Sequence, residues 1–332
     1  MNSIARACSI ACAAILSCAV LFATHAKAQD AAAGYPNKVV KLVIPYTPGA
    51  HADLLARTVA QKLSEYWGQP VVVENKPGGG GAIGTLAGSR AAPDGYTLLM
   101  TALGQLIVLP EIQATKPYNA LTDFEPVYPL VRTPWVLYVN PSLPVNTLKE
   151  FVDYAKANPG KLNGATAGMG SSNHLANAVF GLRTGTKFEN IHYQGSAGAI
   201  TDLMAGRADF YFDSLLQMQH VRAGKLKALA VTDSKRAAYA PDVPSTAESG
   251  FPQIEVGTWF ALFFPPGTPP AIVAKVNRDA YRAMSSPDVQ ERLAVTGFGY
   301  WPAMTPAEFK ALIKSDYDKY TTIVKETGIR AE

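Results

Sequence analysis

Short β-branched, apolar runs alternate with segments of helical periodicity along nearly the whole chain. That alternation limits the possible folds more than any other feature. Strand-like runs lie at 39–46 (VVKLVIPY), 70–75, 97–102, 135–140, 163–168, 188–194, 208–214 and 226–233. Between them the apolar period lengthens from two to about 3.6 residues, as with Leu54, Leu55, Val59 and Leu63 on one face of a helix over 52–66. Thr147-Leu-Lys-Glu150 is a capping box that opens a helix at 148–157, and Asn158-Pro159-Gly160 closes it. Thr305-Pro-Ala-Glu308 repeats the device with proline at the first helical position, and that helix runs to about Thr327, stopped by Gly328. Strands alternating with helices predict an α/β fold with largely parallel sheets.

Residues 1–28 read as an export signal. Arg6 supplies a basic start, Ala7 to Ala23 is almost wholly apolar, and Ala26-Lys27-Ala28 offers small residues at a cleavage site. No later stretch reaches the roughly 18–20 apolar residues of a membrane helix. Cleavage after Ala28 would leave 304 of the 332 residues and remove all three cysteines (Cys8, Cys12 and Cys18). The remaining chain then has no thiol, disulfide or cysteine-ligated metal, which suits a bacterial periplasm. Losing Arg6 and Lys27 leaves 28 basic against 26 acidic residues. A net charge near +2 with no basic stripe argues against nucleic acid as a partner. At this length two domains are expected.

The run VVVENKPGGGGAIG at 71–84 tests whether the chain binds a nucleotide. Gly79, Gly81 and Gly84 match G-x-G-x-x-G after a strand-like run. A dinucleotide turn also needs an acidic residue about 20 positions on. Here Pro77 interrupts the approach, the next acid is Asp94, and no G-K-[ST] follows. The run is expected to be a flexible turn near the mouth of a cleft. Metal-binding and catalytic patterns are also absent: the histidines are scattered, with no H-E-x-x-H and no G-x-S-x-G. No metal and no cofactor are expected.

Two stretches echo one another. Ile44-Pro-Tyr-Thr-Pro-Gly-Ala-His51-Ala-Asp53 and Ala165-Thr-Ala-Gly-Met-Gly-Ser-Ser-Asn-His174 both run strand, small-residue turn, helix start. The first N–H groups of a helix have no internal partner and lie at the positive end of its dipole, so such turns can receive a carboxylate without any Arg or Lys. Gly195-Ser196-Ala197-Gly198 is a third candidate.

Several blocks occur in an order that resembles the periplasmic substrate-binding proteins of tripartite tricarboxylate transporters, the Bug family. They are Tyr35-Pro36, Ile44-Pro45-Tyr46-Thr47-Pro48-Gly49 with Asp53, 68–75, 92–97, Ala167 to His174, Phe212-Asp213-Ser214, 222–226 and 265–270. The resemblance spans essentially the whole chain after the leader. It implies a type II periplasmic-binding-protein fold, with two α/β domains around a ligand cleft joined by two crossover strands. Domain 1 would comprise 29–132 plus 260–332, and domain 2 would comprise 133–259. The crossovers would fall near 133–139 and 257–261, with the C-terminal helices packed on domain 1. The implied ligand is a small organic carboxylate held by the turns at 45–53 and 167–174, and the implied partner is a membrane permease.

The candidate contacts are Tyr46, Gly49, Ala50, His51, Ala52, Asp53, Gln105, Trp135, Ala167, Gly168, Gly170, Ser171, Ser172, Asn173, His174, Gly195 and Asp213. The first turn departs from the family's usual Pro-Gly-Gly-Gly-Thr-Asp at His51 and Ala52, so His51 is expected to donate to a ligand carboxylate. Asp53 and Asp213 read either as capping residues or as acceptors for a ligand donor. Trp135 stands where an aliphatic residue is usual, and its flat ring would suit an aromatic dicarboxylate such as terephthalate. Two other readings are a ligand sensor that docks on a membrane kinase and a secreted hydrolase using Ser172 with His174. A monomer is expected.

Overall fold

The computed structural model describes residues 34–49, 51–294 and 296–330. The leader at 1–28 and candidate contact Ala50 lie outside the described residues. The chain begins β1 (Val40–Ile44), α1 (His51–Trp67), β2 (Val71–Asn75), α2 (Ala82–Ser89) and β3 (Thr97–Ala102). A π-turn at Gly104–Val108 leads into the short α3 (Leu109–Ile112). β4 (Glu125–Pro134) is separated from β5 (Val136–Val139) by Trp135 alone. There follow α4 (Leu148–Ala157), β6 (Asn163–Thr166), α5 (Ser172–Thr184), β7 (Glu189–His192), α6 (Ser196–Met204), β8 (Phe210–Asp213), α7 (Met218–Arg222) and β9 (Lys227–Val231). β10 (Gly257–Phe264), α8 (Pro270–Met284), α9 (Pro287–Ala294), β11 (Gly299–Tyr300) and α10 (Pro306–Thr327) complete the order.

The strands form two sheets, ordered β11-β4-β10-β3-β1-β2 and β7-β6-β8-β5-β9. Each is mixed, which corrects the expectation of largely parallel pairing. β2, β1 and β3 pair in parallel, as do β7, β6 and β8. β4 and β10 pair antiparallel because β4 carries the chain toward the second sheet and β10 brings it back. β5 and β9 are antiparallel for a similar reason: β5 enters its sheet directly from β4, with no room for the crossover a parallel neighbour requires.

β4 and β10 were not among the strand-like runs. β4 contains Pro126, Pro129 and Pro134, residues that cannot donate to a ladder. Its pairing with β10 accommodates them through register shifts at Phe260/Ala261 and Leu262/Phe263. β10 reads GTWFALFF, a run buried on both faces and so without alternation.

The capping box at Thr305 and Glu308 closes reciprocally on α10, whereas at α4 only half of the expected box forms. The Thr147 side chain accepts from Glu150 N at 3.2 Å, but the Glu150 carboxylate accepts from Asn146 N at 2.6 Å. Gly328 ends α10 in the left-handed region at φ 66°. β6 and β7 are shorter than their apolar runs mainly because their last residues leave the ladder, whereas β8 lacks residues 208–209 at its start and Ser214 at its end.

The first sheet's core packs Leu42, Ile44, Leu98 and Met100 against Leu55 and Val59 of α1 and Val276 and Ala280 of α8. A second cluster joins the sheets, containing Leu106 to Leu109 of the π-turn region, Leu175 and Val179 of α5, and Phe309 and Val324 of α10. The last helix therefore packs on β4 and also on α5 of the second sheet, not on the first domain alone.

Gly84, inside α2, shows how tightly the helix seats on the sheet. A β-carbon there would lie 2.5 Å from the Lys76 carbonyl oxygen and 2.8 Å from Pro45 Cα, both backbone atoms that cannot rotate away. Gly84→Ala is expected to destabilise the protein by roughly 1–3 kcal/mol, the usual range for overpacking. A lowered urea midpoint at constant m would report it, and an unchanged midpoint would mean α2 can shift freely.

Candidate ligand-binding site

The turns that shorten β6 and β7 open onto a cavity of about 500 Å³ beyond the carboxyl ends of the parallel strands. Open α/β sheets present their ligands there. Four helix starts reach its wall. α1 contributes Thr47, His51 and Ala52, and the glycine run before α2 contributes Gly78 to Gly81. α5 contributes Ser171, Ser172 and Asn173, and α6 contributes Gly195 and Ser196. No lysine or arginine lines the cavity among the described residues. Positive potential inside it comes from peptide dipoles.

Of the candidate contacts, Tyr46, His51, Ala52, Gln105, Trp135, Ala167, Gly168, Ser171, Ser172, Asn173, Gly195 and Asp213 line the cavity. Gly49, Asp53, Gly170 and His174 lie behind that wall and hold it in shape. The Asp53 carboxylate accepts from Gly49 N at 3.0 Å, Arg57 Nε at 2.8 Å and Asn75 Nδ2 at 3.0 Å. Burial alone would raise its pKa, but these three donors hold it below the usual carboxylate range. Three of its acceptor sites close the turn and it lies outside the cavity lining, so Asp53 is a brace and not the ligand contact expected of it. His174 is corrected in the same way, because its Nδ1 accepts from Gly170 N at 3.2 Å and stiffens the 168–171 turn.

Several lining side chains also have structural work. Ser171 caps α5 by accepting from His174 N at 3.3 Å. Asn173 Nδ2 donates to the Phe212 carbonyl at 2.6 Å. Ser172 Oγ accepts from Gly104 N at 3.1 Å and shares a hydrogen bond with Thr258 Oγ1 at 2.9 Å. Ser172 and His174 thus serve different partners and do not form a nucleophile–base pair. Gln105 accepts from Tyr46 OH at 3.1 Å and donates to the Gly80 carbonyl at 3.3 Å.

Two polar atoms in the wall are buried without a hydrogen-bond partner: His51 Nε2 and Trp135 Nε1. Buried polar atoms are rarely left so, and an orphan pair in one cavity points to an acceptor arriving from outside. The His51 ring stacks on Phe298 at 4.3 Å between centroids and meets Phe260 edge-on. Burial lowers its pKa to about 4, so it faces the cavity as a neutral imidazole at pH 7.

The tetraglycine run is more than a turn at the mouth. Gly78 to Gly81 all have positive φ, and a β-carbon on Gly80 would lie 2.4 Å from the Met169 carbonyl oxygen across the cavity. Bare backbone lets the two sides approach this closely. Tyr193 and Phe260, expected from sequence to face the cleft as aromatic residues, line it, as do Thr47, Met169 and Ser196 of the three helix-start turns, whereas His192, Gln194 and Thr258 were not singled out from sequence. Thr258 lies on β10, whose alternation signal is absent. His192 and Gln194 precede the third helix start and could have been taken with it.

Two α/β sheets linked by antiparallel strands, with a helix-start cavity beyond their strand ends, define a solute-binding protein of the periplasmic-binding-protein fold. Residues 55–329 match the family described as the tripartite tricarboxylate transporter family receptor, and the chain belongs to that family. Protein BugT of Bordetella pertussis (strain Tohama I) is 36% identical over 298 residues, covering 89% of this chain and 91% of its own. The solved structure of periplasmic binding protein BugD superposes with a TM-score of 0.83 at 33% identity, over 90% of this chain and 100% of that one. R. palustris Rpa4515 with adipate gives 0.84 at 31% identity, over 89% and 99%. MatC from Rhodopseudomonas palustris with bound malate gives 0.82 at 31%, over 87% and 100%. The protein is a receptor for a solute and not an enzyme. Among the described residues no helix is long and apolar enough to cross a membrane, and no cluster of three metal-ligating side chains occurs.

The buried ionisable groups of this region predict how stability responds to acid. His174 is pushed down to about 4, by burial and then by the neighbouring His192, as His51 is by burial. An unfolded histidine binds a proton near 6.5, so both stabilising contributions are complete above that pH and are lost as pH falls toward 4. Asp213 acts in the opposite sense. Burial raises it to about 7, so its native form keeps a proton that the unfolded chain releases above about 3.8. Two histidines against one carboxyl leave the unfolded state ahead by up to one proton between roughly pH 4.5 and 6. The melting temperature is expected to fall on acidification through this window. His174→Asn, whose Oδ1 can accept from Gly170 N, should melt lower at pH 7.5 yet lose less on going to pH 5. Parallel curves for the two proteins would show that His174 does not titrate as described.

Proposed function

We propose that the cavity captures a small organic dicarboxylate between two lobes, and that the loaded protein delivers it to the membrane permease of a tripartite tricarboxylate transporter. The carrying observation is that four helix starts converge on one cavity whose wall, among the described residues, has neither lysine nor arginine. The adipate and malate bound by relatives of matching fold support the ligand class. Residues 133–259 form one lobe, 29–132 with 260–332 form the other, and β4 and β10 serve as the hinge. The leader at 1–28 directs export and is cleaved after Ala28.

Lobe closure excludes water and completes the donor set from both sides. Each charge-assisted hydrogen bond contributes about 1.5–3 kcal/mol. Four or five such bonds contribute roughly 6–15 kcal/mol, which spans the roughly 8 kcal/mol of a micromolar complex and at its upper end leaves a margin for closure. His51 Nε2 and Trp135 Nε1 each donate to a ligand carboxylate oxygen, which resolves the two unpaired atoms of the wall. Tyr46, Trp135, Tyr193 and Phe260 give the cavity an aromatic lining that favours a flat acid, with terephthalate as the form to test.

Calorimetry on ligand-stripped protein with adipate, malate, terephthalate, citrate and dimethyl adipate tests this reading. A 1:1 complex with a dissociation constant of micromolar order is expected for at least one dicarboxylate, and none for the diester. His51→Ala and Trp135→Phe should each weaken the best ligand by roughly ten- to a hundredfold. The tryptophan change keeps a ring and removes only the N–H donor. An unaltered constant in either variant would remove that residue from the ligand's contacts. A response to citrate alone would dismiss the dicarboxylate and terephthalate together.

A further inference from the structure

The cavity built for an anion contains a carboxyl group of its own. Asp213, the last residue of β8, lines it while only 2% exposed, and it is the only Asp or Glu in the wall among the described residues. It has no lysine or arginine partner. Its Oδ1 accepts from Ser214 N at 2.8 Å and its Oδ2 from Gln217 Nε2 at 2.9 Å. Ser214 offers a backbone N–H, which cannot receive a proton from the acid, and the Gln217 amide turns its NH2 group toward the carboxyl. With both donors in place, an O–H on Asp213 can find its acceptor in the cavity that the carboxyl lines.

Resting on the proposed capture of a carboxylate, we infer that Asp213 meets the ligand as the neutral acid and donates its proton in a hydrogen bond to a ligand carboxylate oxygen. Two ionised carboxyl groups sharing a dry cavity repel, and the pair is relieved when one of them holds a proton. Tyr138, Tyr211 and His51 supply no compensating positive charge at neutral pH. Tyr138 on neighbouring β5 and Tyr211 on β8 are raised well above the usual tyrosine value and stay protonated. Across the cavity, His51 is neutral above about 4, and Tyr46, Tyr193 and His192 complete the titratable wall.

Burial is the larger influence on Asp213 itself. It outweighs the donors at Ser214 and Gln217 and brings the group to about 7 before any ligand arrives. A bound anion raises it further. Above pH 7, binding therefore takes up one proton from solvent: the ionised receptor, the ionised ligand and one proton give the complex. The same device shapes specificity, because while the acid holds its proton it favours a ligand atom that accepts a hydrogen bond at this point over one, such as an ammonium, that can only donate.

Adipate is a suitable probe, because both of its carboxyl groups are ionised across the range above about pH 6.5 in which Asp213 titrates. The dissociation constant of the intact protein should be nearly level between about pH 6 and 6.5 and rise on the order of tenfold per pH unit above about 7. Calorimetry at pH 8 in two buffers of different ionisation enthalpy should show uptake of close to one proton per adipate. Asp213→Asn keeps the shape and an N–H donor, so its affinity should be the same at pH 6 and pH 8.5. Asp213→Ala should weaken binding at both. Thermal melts establish that each variant is folded. A level profile in the intact protein would overturn the inference while leaving carboxylate capture intact. A slope that survives Asp213→Asn would also overturn it, since the titrating group would then be another, such as His192. Affinity that increases with pH and vanishes in Asp213→Asn would make Asp213 an ionised acceptor, again against the inference. No carboxylate binding at any pH would defeat the proposed function and this inference together.

Discussion

The site depends on the unpaired N–H groups that every helix leaves at its start. A side-chain cation would bring a flexible stem and a hydration shell to be stripped. Peptide groups at the head of α1, α2, α5 and α6 are fixed before the ligand arrives, and their partial charges need no rearrangement when the lobes meet. Such charges act over about one helical turn, so the backbone itself must come within contact distance. Glycine permits that. Gly80 against the Met169 carbonyl and Gly104 against Ser172 N are approaches that any β-carbon would block, at 2.4 Å in each case.

A wall of bare backbone needs bracing from behind, and this is where the polar residues of the turns are used. Asp53 ties the first turn to Arg57 and Asn75, and His174 ties the second to Gly170. Gln105 links Tyr46 to the glycine run, and Ser172 joins the start of α5 to both Gly104 and Thr258. The two bonds from Ser172 cross from one sheet's elements to the other's, so in the proposed closure the network that stiffens the cavity also registers how closely the lobes approach.

Much of this was visible in the sequence, unevenly and for physical reasons. Capping chemistry is local, so α4 and α10 could be bounded almost to the residue from Thr147, Glu150, Thr305, Pro306 and Gly328. The two echoing turns were likewise recognisable, since small residues ahead of a helix have few other uses in that pattern. β4 and β10 were hidden because one carries three prolines and the other is buried on both faces, which removes the alternation that marks a strand. Asp53 and His174 were placed in the ligand set because a side chain at a helix start looks the same in sequence whether it points outward to a ligand or back onto its own turn. Only the positions of Arg57, Asn75 and Gly170 decide between those, and none of them announces the contact in sequence.

Trp135 gathers these threads. It is the single residue between β4 and β5, so it sits where the chain leaves the first sheet for the second. Its backbone N–H donates to Thr232 Oγ1 at 2.8 Å, beyond the end of β9, and its ring is buried in the cluster that spans both sheets. The indole edge meanwhile lines the cavity with its N–H unpaired. In the proposed closure, rotation of one lobe against the other turns on the strand junction that carries this ring. Such rotation cannot leave the indole's position in the cavity unchanged, because its backbone is anchored to the second sheet and its ring to packing from both. A ligand oxygen that satisfies Nε1 therefore stabilises one angle between the lobes over the others, and differential stabilisation of that kind is what lets a small solute select a closed conformation.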